Sequence, residues 1–486
     1  MFGSQSWEDD DHVAGESVSP DQKSIDDVNL VEKRLRPTLK FILAFTTGAF
    51  FFLFPVQYQG QTTIPLDILL SYIEATSLLT VELFVLFVLF MGGIMTTVGM
   101  LHYQGVLALS ERTQEIVQPE YWQTSKLFWA LRVISVPVGF AMFMGVGPGW
   151  LINDAISGVS WNVLMITIVL VIPVGAIFVN LLAELGGLEF IGTLAQPIMR
   201  PLFNLPGRSA LDSAASWLGS FSIGYYLTRN VFDRGGYNKR EVFAICTCFA
   251  TANLGSVGAV AAILDILHVF PVVVALYLIA TLIVGAILVR IPPLSTVPEE
   301  YIAEPDPEPQ FTGTVVDYVR FAFNEGVRTA DEGESIPRAA VNGFIDGTKL
   351  TATILGTVLV IATTVLLLEA YTDFFELIAT PFVPLMTILG IPEPETAAIA
   401  VLAGAGEYFV GSTVAVGTSL TTKVFVVVVT SAQAIFFAAS VPMMVDMFDD
   451  VPMRVRDLTV LLILRTALLV PIAAALTHGV AAVGLI

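Results

Sequence analysis

Residues 209–220 read SALDSAASWLGS, and small or polar side chains fill most of this stretch. Arg200 and Arg208 precede it, and a second basic group follows it, formed by Arg229, Arg234, Lys239 and Arg240. Basic residues in short loops stay on the cytoplasmic side of a membrane, so a full crossing at 209–228 would place the second group outside. The stretch therefore predicts a re-entrant hairpin that enters and leaves from the cytoplasm, a path tolerated only where protein or water surrounds the backbone.

Long apolar runs lie on both sides of this hairpin. Of the 486 residues, 55% are hydrophobic and 14% are charged, whereas soluble domains carry about 25% charged residues. A helix needs roughly 20 apolar residues to cross a bilayer, and the ten-residue alternation of a β-barrel is absent from the sequence. We therefore predict an all-α integral membrane protein with about nine transmembrane helices, at 39–56, 79–101, 127–146, 161–183, 242–264, 269–289, 350–368, 424–444 and 458–476.

The ends of the chain follow from the same charge rule. Residues 1–38 are acidic and polar and lack the features of a signal peptide, so we expect a disordered cytoplasmic tail. The basic residues at 33–40 hold that side in the cytoplasm, and alternate crossings then place the C-terminus outside. The predicted location is the cell membrane, with multiple crossings.

A second small and polar stretch lies at 397–417, inside a region without Lys or Arg at 369–422. It predicts a second re-entrant hairpin that opens from the outside. Short motifs recur in the same order around the two hairpins at separations of 184, 186 and 180 positions: AQPI at 195–198 with ATPF at 379–382, LP at 205–206 with IP at 391–392, and TAN at 251–253 with SAQ at 431–433.

These echoes predict an inverted-topology repeat, with broken helices meeting near the middle of the bilayer. Such repeats are common in secondary transporters, and paired interrupted segments indicate the binding site. The predicted organisation is an N-terminal transmembrane region at 39–146, a first repeat at 161–289, a cytoplasmic linker at 290–348 and a second, inverted repeat at 349–486.

Several motifs of the first repeat carry a family resemblance. They are QPIMRPLFNLPGRSALD at 196–212, SWLGS at 216–220, GYYLTR at 224–229, YNKRE at 237–241 and CFATAN at 248–253. The segment resembles the nucleoside-recognition "Gate" domain family, in its YjiH-like branch. The resemblance implies a membrane transport protein, similar in part to concentrative nucleoside transporters and ferrous-iron transporters, and it leaves the substrate open.

Candidate site residues come from the two hairpins and the two matching motifs. A charge at membrane depth is a functional candidate by default, which selects Asp212 and Glu407; the alternatives are a helix cap for Asp212 and an ion pair with Arg465 for Glu407. Asn253 and Gln433 occupy matching points of the repeats and either bind a polar solute or join helices. The weaker candidates, which packing alone would also explain, are Ser216, Ser220, Thr251, Ser412 and Thr413.

The sequence thus predicts a secondary transporter of a small polar, nucleoside-like solute, with Na⁺ or H⁺ as candidate coupling ions through Glu407 or Asp212. The alternative is a non-transporting membrane scaffold similar to the Gate proteins of spore maturation. No ATPase, metalloprotease or nucleophile-elbow motif occurs, so we predict neither an enzyme nor a cofactor. The scattered histidines predict no metal site, and the net charge of −20 argues against nucleic acid. A homo-oligomer is left open.

Overall fold

The computed structural model describes residues 35–58, 60–219, 221–305, 314–406, 408–433 and 441–486. Of the predicted acidic tail, only 35–38 fall within these ranges, and they begin the first helix. The described residues are almost entirely helical, which confirms the predicted all-α class.

The N-terminal region contains four helices and a small β-hairpin. Val56 pairs with Thr63 in the antiparallel hairpin. Ser77, at φ −147° and ψ 36°, kinks the long second helix. The elements are α1 Leu35–Leu53, β1 Val56–Tyr58, β2 Gln61–Thr63, α2 Pro65–Tyr103, α3 Glu111–Val117 and α4 Lys126–Met144.

The first predicted repeat forms a long helix, an arm, a helix pair, an interrupted helix and a final helix. π-helical segments at Asp154–Met165 and Ala183–Gly187 precede and follow the long helix. Short 3₁₀ turns lie at Leu267–Val269 and Leu294–Thr296. The helices are α5 Ile166–Leu182, α6 Leu188–Phe203, α7 Ser209–Leu218, α8 Phe221–Asp233, α9 Lys239–Cys248, α10 Leu254–Ile263 and α11 Phe270–Leu288.

The second predicted repeat follows a linker helix and again contains a long helix, an arm and a helix pair. Residues 434–440, between its last helices, lie outside the described residues. Its long helix begins at Ile336, so the predicted cytoplasmic linker of 290–348 includes the start of a membrane-length helix. The helices are α12 Val315–Glu332, α13 Ile336–Tyr371, α14 Phe374–Ala379, α15 Val383–Ile388, α16 Pro394–Gly406, α17 Tyr408–Val414, α18 Leu420–Gln433, α19 Val441–Met447 and α20 Val455–Ala482.

Six helical stretches in the described part of the chain are long and apolar enough to cross a membrane: Pro65–Tyr103, Lys126–Met144, Asp154–Phe203, Leu267–Leu288, Ile336–Leu368 and Val455–Ala482. The protein is therefore a multi-pass membrane protein. The count of nine stays a prediction, as does the opposite orientation of the repeats. The predicted crossing at 242–264 is not one continuous helix, because α9 and α10 are separated at 249–253.

Close contact between α5 and α13 joins the two repeats. A Cβ atom at Gly343 would lie 2.6 Å from the Ala176 carbonyl oxygen, and one at Gly347 would lie 3.1 Å from that of Ile172. Small residues let membrane helices approach this closely. The helix α12 is tied to α1 on another side, where Lys40 Nζ donates to the Gly333 carbonyl at 2.7 Å. This framework supports the helix pairs that follow.

Candidate transport site

The helices α7 and α8 form an antiparallel hairpin. Thr228 Oγ1 donates to Asp212 Oδ2 at 3.0 Å. One turn further along, a Cβ atom at Gly224 would lie 2.1 Å from Ser216 Oγ, so the two helices are in close contact at this glycine. These pairs converge on the turn after Gly219. A helical hairpin is thus present where the sequence predicts one, and its entry into the membrane stays a prediction. Ser220, at the turn, lies outside the described residues.

Asp212 lies at the base of this hairpin. Asp212 is 3% exposed, and its carboxyl group interacts with Thr228, Tyr237 and Arg208. Seven residues at 1.5 Å each separate it from Gly219, so the base is about 10 Å from the tip. Asp212 therefore joins α7 to α8 at the base of the hairpin, which is the end next to the basic residues in the sequence.

The break between α9 and α10 exposes backbone carbonyl groups that side chains from other helices satisfy. Trp217 Nε1, on α7, donates to the Phe249 carbonyl at 2.9 Å. The Tyr277 hydroxyl, on α11, donates to the Ala252 carbonyl at 2.6 Å and contacts the Thr251 hydroxyl. An unsatisfied backbone group in a membrane costs several kcal/mol. Side chains of the two neighbouring helices α7 and α11 therefore stabilise the break.

A third helix reaches the same break through Arg465. This side chain, on α20, is 2% exposed. Its Nη1 donates to the Thr247 carbonyl at 2.6 Å and its Nη2 to the Cys248 carbonyl at 3.4 Å, both at the end of α9. Its Nε donates to the Ala432 carbonyl of α18 at 2.8 Å. One guanidinium thus joins the end of α9 to α18, which belong to different predicted repeats.

Asn253 connects the start of α10 to the tip of the first hairpin. Its Oδ1 accepts from the backbone N–H of Ser256 at 2.8 Å and caps the helix, and its Nδ2 donates to the Gly219 carbonyl at 3.0 Å. Among the described residues, a Cβ atom at Gly255 would have Asn253 Oδ1, 3.5 Å away, as its one neighbour within 4 Å. The described part of the chain therefore leaves space beside the first turn of α10.

Gln433 and Ser431 lie at the described end of α18, against the same break. Gln433 Nε2 donates to Thr466 Oγ1 at 2.8 Å, and the Ala252 N–H donates to the Ser431 carbonyl at 3.4 Å. Gln433 is 2% exposed. Within the described part of the chain, neither its Oε1 nor the Ser431 hydroxyl has a hydrogen-bond partner. Two buried polar atoms are thus available beside the broken helix.

The helices α16 and α17 form the second hairpin. A Cβ atom at Gly411 would lie 2.5 Å from the Ala400 carbonyl oxygen, so this pair also packs through glycine. Ser412 Oγ donates to the Phe409 carbonyl at 2.5 Å, and Thr413 Oγ1 donates to the Val410 carbonyl at 2.7 Å. Glu407, which lies between α16 and α17 in the sequence, is outside the described residues, so its predicted role and its alternative ion pair stay predictions.

The structure brings three of the predicted residues together, namely Thr251, Asn253 and Gln433. Other candidates use their hydroxyl groups within their own helices: Ser216 donates to the Asp212 carbonyl at 3.1 Å, as Ser412 and Thr413 do in the second hairpin. Sequence reasoning named Arg465 solely as a partner for Glu407 and overlooked Tyr277 and Trp217. A charged residue inside the apolar run at 458–470 is the signal that marks Arg465 as a site residue.

The contact at the hairpin base can be tested by the Thr228→Val substitution. Valine keeps the shape and removes the hydroxyl, which lies within hydrogen-bond distance of Asp212 Oδ2 and of the Gly224 carbonyl in its own helix. Leaving a buried acceptor without its donor costs about 1–3 kcal/mol. We expect a lower melting temperature in detergent. Thr364→Val is the matched control, because its exposed hydroxyl bonds within its own helix to Val360. Equal melting temperatures for the two variants would contradict this assignment.

Comparison with known proteins places a Gate domain in this region. Residues 165–269 match the Gate family, described as nucleoside recognition. This range runs from the end of the first π-helical segment through α10 and includes the first hairpin and the broken helix, which confirms the predicted Gate domain. The YjiH-like branch stays a prediction.

Similarity to one other sequence and to solved structures extends over most of the chain. An uncharacterized protein of Alkalihalophilus pseudofirmus is 27% identical over 451 residues, which cover 90% of this chain and 94% of that protein. Among solved structures, the inward-facing substrate-bound state of CNTnw is 15% identical with a TM-score of 0.42, covering 85% of this chain and 98% of that one. An intermediate state of a CNTnw variant is 14% identical, with a TM-score of 0.42 and coverage of 93% and 96%.

Proposed function

We propose that this protein is a secondary membrane transporter of a small polar solute of the nucleoside class. The observation that carries the proposal is the junction at 249–253, where Asn253 ties a hairpin tip to the first turn of α10 and buried polar atoms of Gln433 and Ser431 lie alongside. Broken helices beside hairpins form the binding sites of many secondary transporters. The Gate match, described as nucleoside recognition, supports the same class of solute.

The chemistry of the junction suits a neutral solute with both donors and acceptors. The first backbone N–H groups of α10 carry a partial positive charge and favour an electronegative oxygen. Gln433 Oε1 is an acceptor and requires a donor from the solute. A nucleoside provides both, through its ribose hydroxyl groups and the donors and acceptors of its base.

Coupling and membrane placement belong to the same proposal. Na⁺ or H⁺ coupling through Glu407 or Asp212, a cell-membrane location, a cytoplasmic N-terminus and an outside C-terminus all stay predictions, and the oligomeric state stays open. For Asp212, its position at the hairpin base favours a role in holding the hairpin over direct solute contact. We propose no catalytic activity.

Flux in proteoliposomes tests the proposed function. The full-length chain would be reconstituted, and entry of radiolabelled uridine and adenosine would be measured with a Na⁺ gradient, a proton gradient or neither, against protein-free liposomes. We expect saturable entry that unlabelled nucleosides inhibit. Absence of entry for every nucleoside under every gradient, with correctly folded protein, would favour the scaffold alternative.

A further inference from the structure

The guanidinium of Arg465 occupies a place where backbone carbonyl groups converge. The carbonyls of Thr247 and Cys248 end the helix α9, and the carbonyl of Ala432 lies in the last described turn of α18. All of them accept hydrogen bonds from this one side chain, at 2.6, 3.4 and 2.8 Å. The side chain comes from a different helix, α20, and is buried.

Such a place attracts cations. The C-terminus of a helix carries about half a negative charge. In secondary transporters built from broken helices, unwound carbonyls and the C-terminal ends of half-helices coordinate the coupling Na⁺. In this protein the corresponding carbonyl oxygens already face a positive charge, and arginine is a side chain that stays protonated in proteins.

The contact also joins two helices, α9 and α18, that lead to the proposed solute site. Arg465 reaches the end of α9, whose following residues include Asn253 at the proposed solute site, and it reaches α18 directly before Gln433. A cation bound here would therefore fix the position of α9 relative to α18. Arginine does this without any bound ion.

We propose that Arg465 is a resident cation that replaces a coupling Na⁺, so that solute binding and movement do not depend on Na⁺. This inference rests on the proposed transport function. It narrows the candidate coupling ions, because it removes Na⁺ and keeps H⁺. Removing the guanidinium would leave carbonyl oxygens without donors and would create a cation site that Na⁺ can occupy.

Thermal stability in detergent tests the site without requiring transport. The variants are Arg465→Met, which keeps the length of the side chain and removes the charge and the donors, and Arg465→Lys, which keeps a charge. Melting temperatures are compared in NaCl, KCl and choline chloride at equal ionic strength. We expect the wild-type protein and Arg465→Lys to melt at the same temperature in all three salts. Arg465→Met should melt lower in choline chloride and recover in NaCl.

Na⁺-selective stabilisation of the wild-type protein would overturn the proposal. So would an Arg465→Met variant that folds and shows no response to Na⁺. If this variant does not fold, nucleoside entry by the wild-type protein is measured in NaCl and in choline chloride. Equal entry in the two salts supports the proposal. Entry that requires Na⁺ overturns the proposal but leaves the transport function intact. Absence of any nucleoside entry would count against the transport function, and the Na⁺ response of the wild-type melting temperature would then decide the cation site separately.

Discussion

The Gly186→Ala substitution is expected to destabilise the protein by at least about 3 kcal/mol. Gly186 has φ +99°, in the region that L-residues rarely adopt, and a Cβ atom there would lie 2.0 Å from the Gly326 carbonyl oxygen and 2.6 Å from its carbon. Both neighbours are backbone atoms, so a rotamer change cannot relieve the overlap. The turn between α5 and α6, the linker helix α12, or both would have to move. Thermal melts of purified protein and the yield of monodisperse protein measure this loss.

Two other glycines separate the causes of that loss. Gly145 also has a positive φ, +61°, but a Cβ atom there would meet no described atom within 4 Å, so Gly145→Ala should cost only about 1–2 kcal/mol for the left-handed backbone. Gly479 lies within α20, and a Cβ atom there would likewise meet none of the described residues within 4 Å, so alanine there should be neutral or stabilising. Equal melting temperatures for Gly186→Ala and Gly145→Ala would show that α12 does not press on this turn.

The apolar runs and the charge pattern of the sequence predict much of this fold. The run at 161–183 predicts α5, and the basic groups around 209–220 predict a re-entrant hairpin. The pairing of Thr228 with Asp212 shows a helical hairpin at this place, and its entry into the membrane stays a prediction. Both signals are local, because membrane insertion depends on the hydrophobicity and charge of one segment at a time. Elements specified by a single segment are therefore the ones that sequence reasoning finds.

The break at 249–253 could not be predicted from the local sequence. The run at 242–264 is apolar on both sides of the break, so its composition predicts one continuous helix. The structure interrupts it because Trp217, Tyr277 and Arg465 supply hydrogen bonds to its carbonyl groups. These donors lie far away in the sequence, and no periodicity within the run reveals them.

The candidate site, like the fold, is predicted only in part by the sequence. The matching motifs TAN and SAQ predict that Asn253 and Gln433 belong together, and the hydrogen bond from Ala252 to Ser431 places the two motifs in contact. The position of Asp212 within its hairpin required the structure, because residues of one hairpin differ by about 10 Å in depth between base and tip. A stretch of sequence identifies the hairpin but not which of its polar residues approaches the solute.

The Asn253→Ala substitution is expected to reduce nucleoside entry by between about fivefold and 150-fold, the equivalent of 1–3 kcal/mol. Alanine removes the cap of α10 and the hydrogen bond from Nδ2 to the Gly219 carbonyl. Asn238→Ala is the matched control: Asn238 caps α9 through the Glu241 N–H at 2.9 Å, so its loss costs the same kind of cap, typically about 1 kcal/mol. Initial rates in proteoliposomes, normalised to folded protein, compare the two variants.

Asn253→Ser separates the cap from the contact with the hairpin. Serine is a good helix cap, but it lacks the amide N–H groups that donate to the Gly219 carbonyl, so α10 should keep its stability while the hairpin tip is released. If the tip forms one wall of the solute site, Asn253→Ser should lose transport nearly as fully as Asn253→Ala and melt close to the wild-type temperature. Wild-type transport by Asn253→Ser would mean that the cap matters and the hairpin contact does not, which would move the proposed solute site away from Gly219.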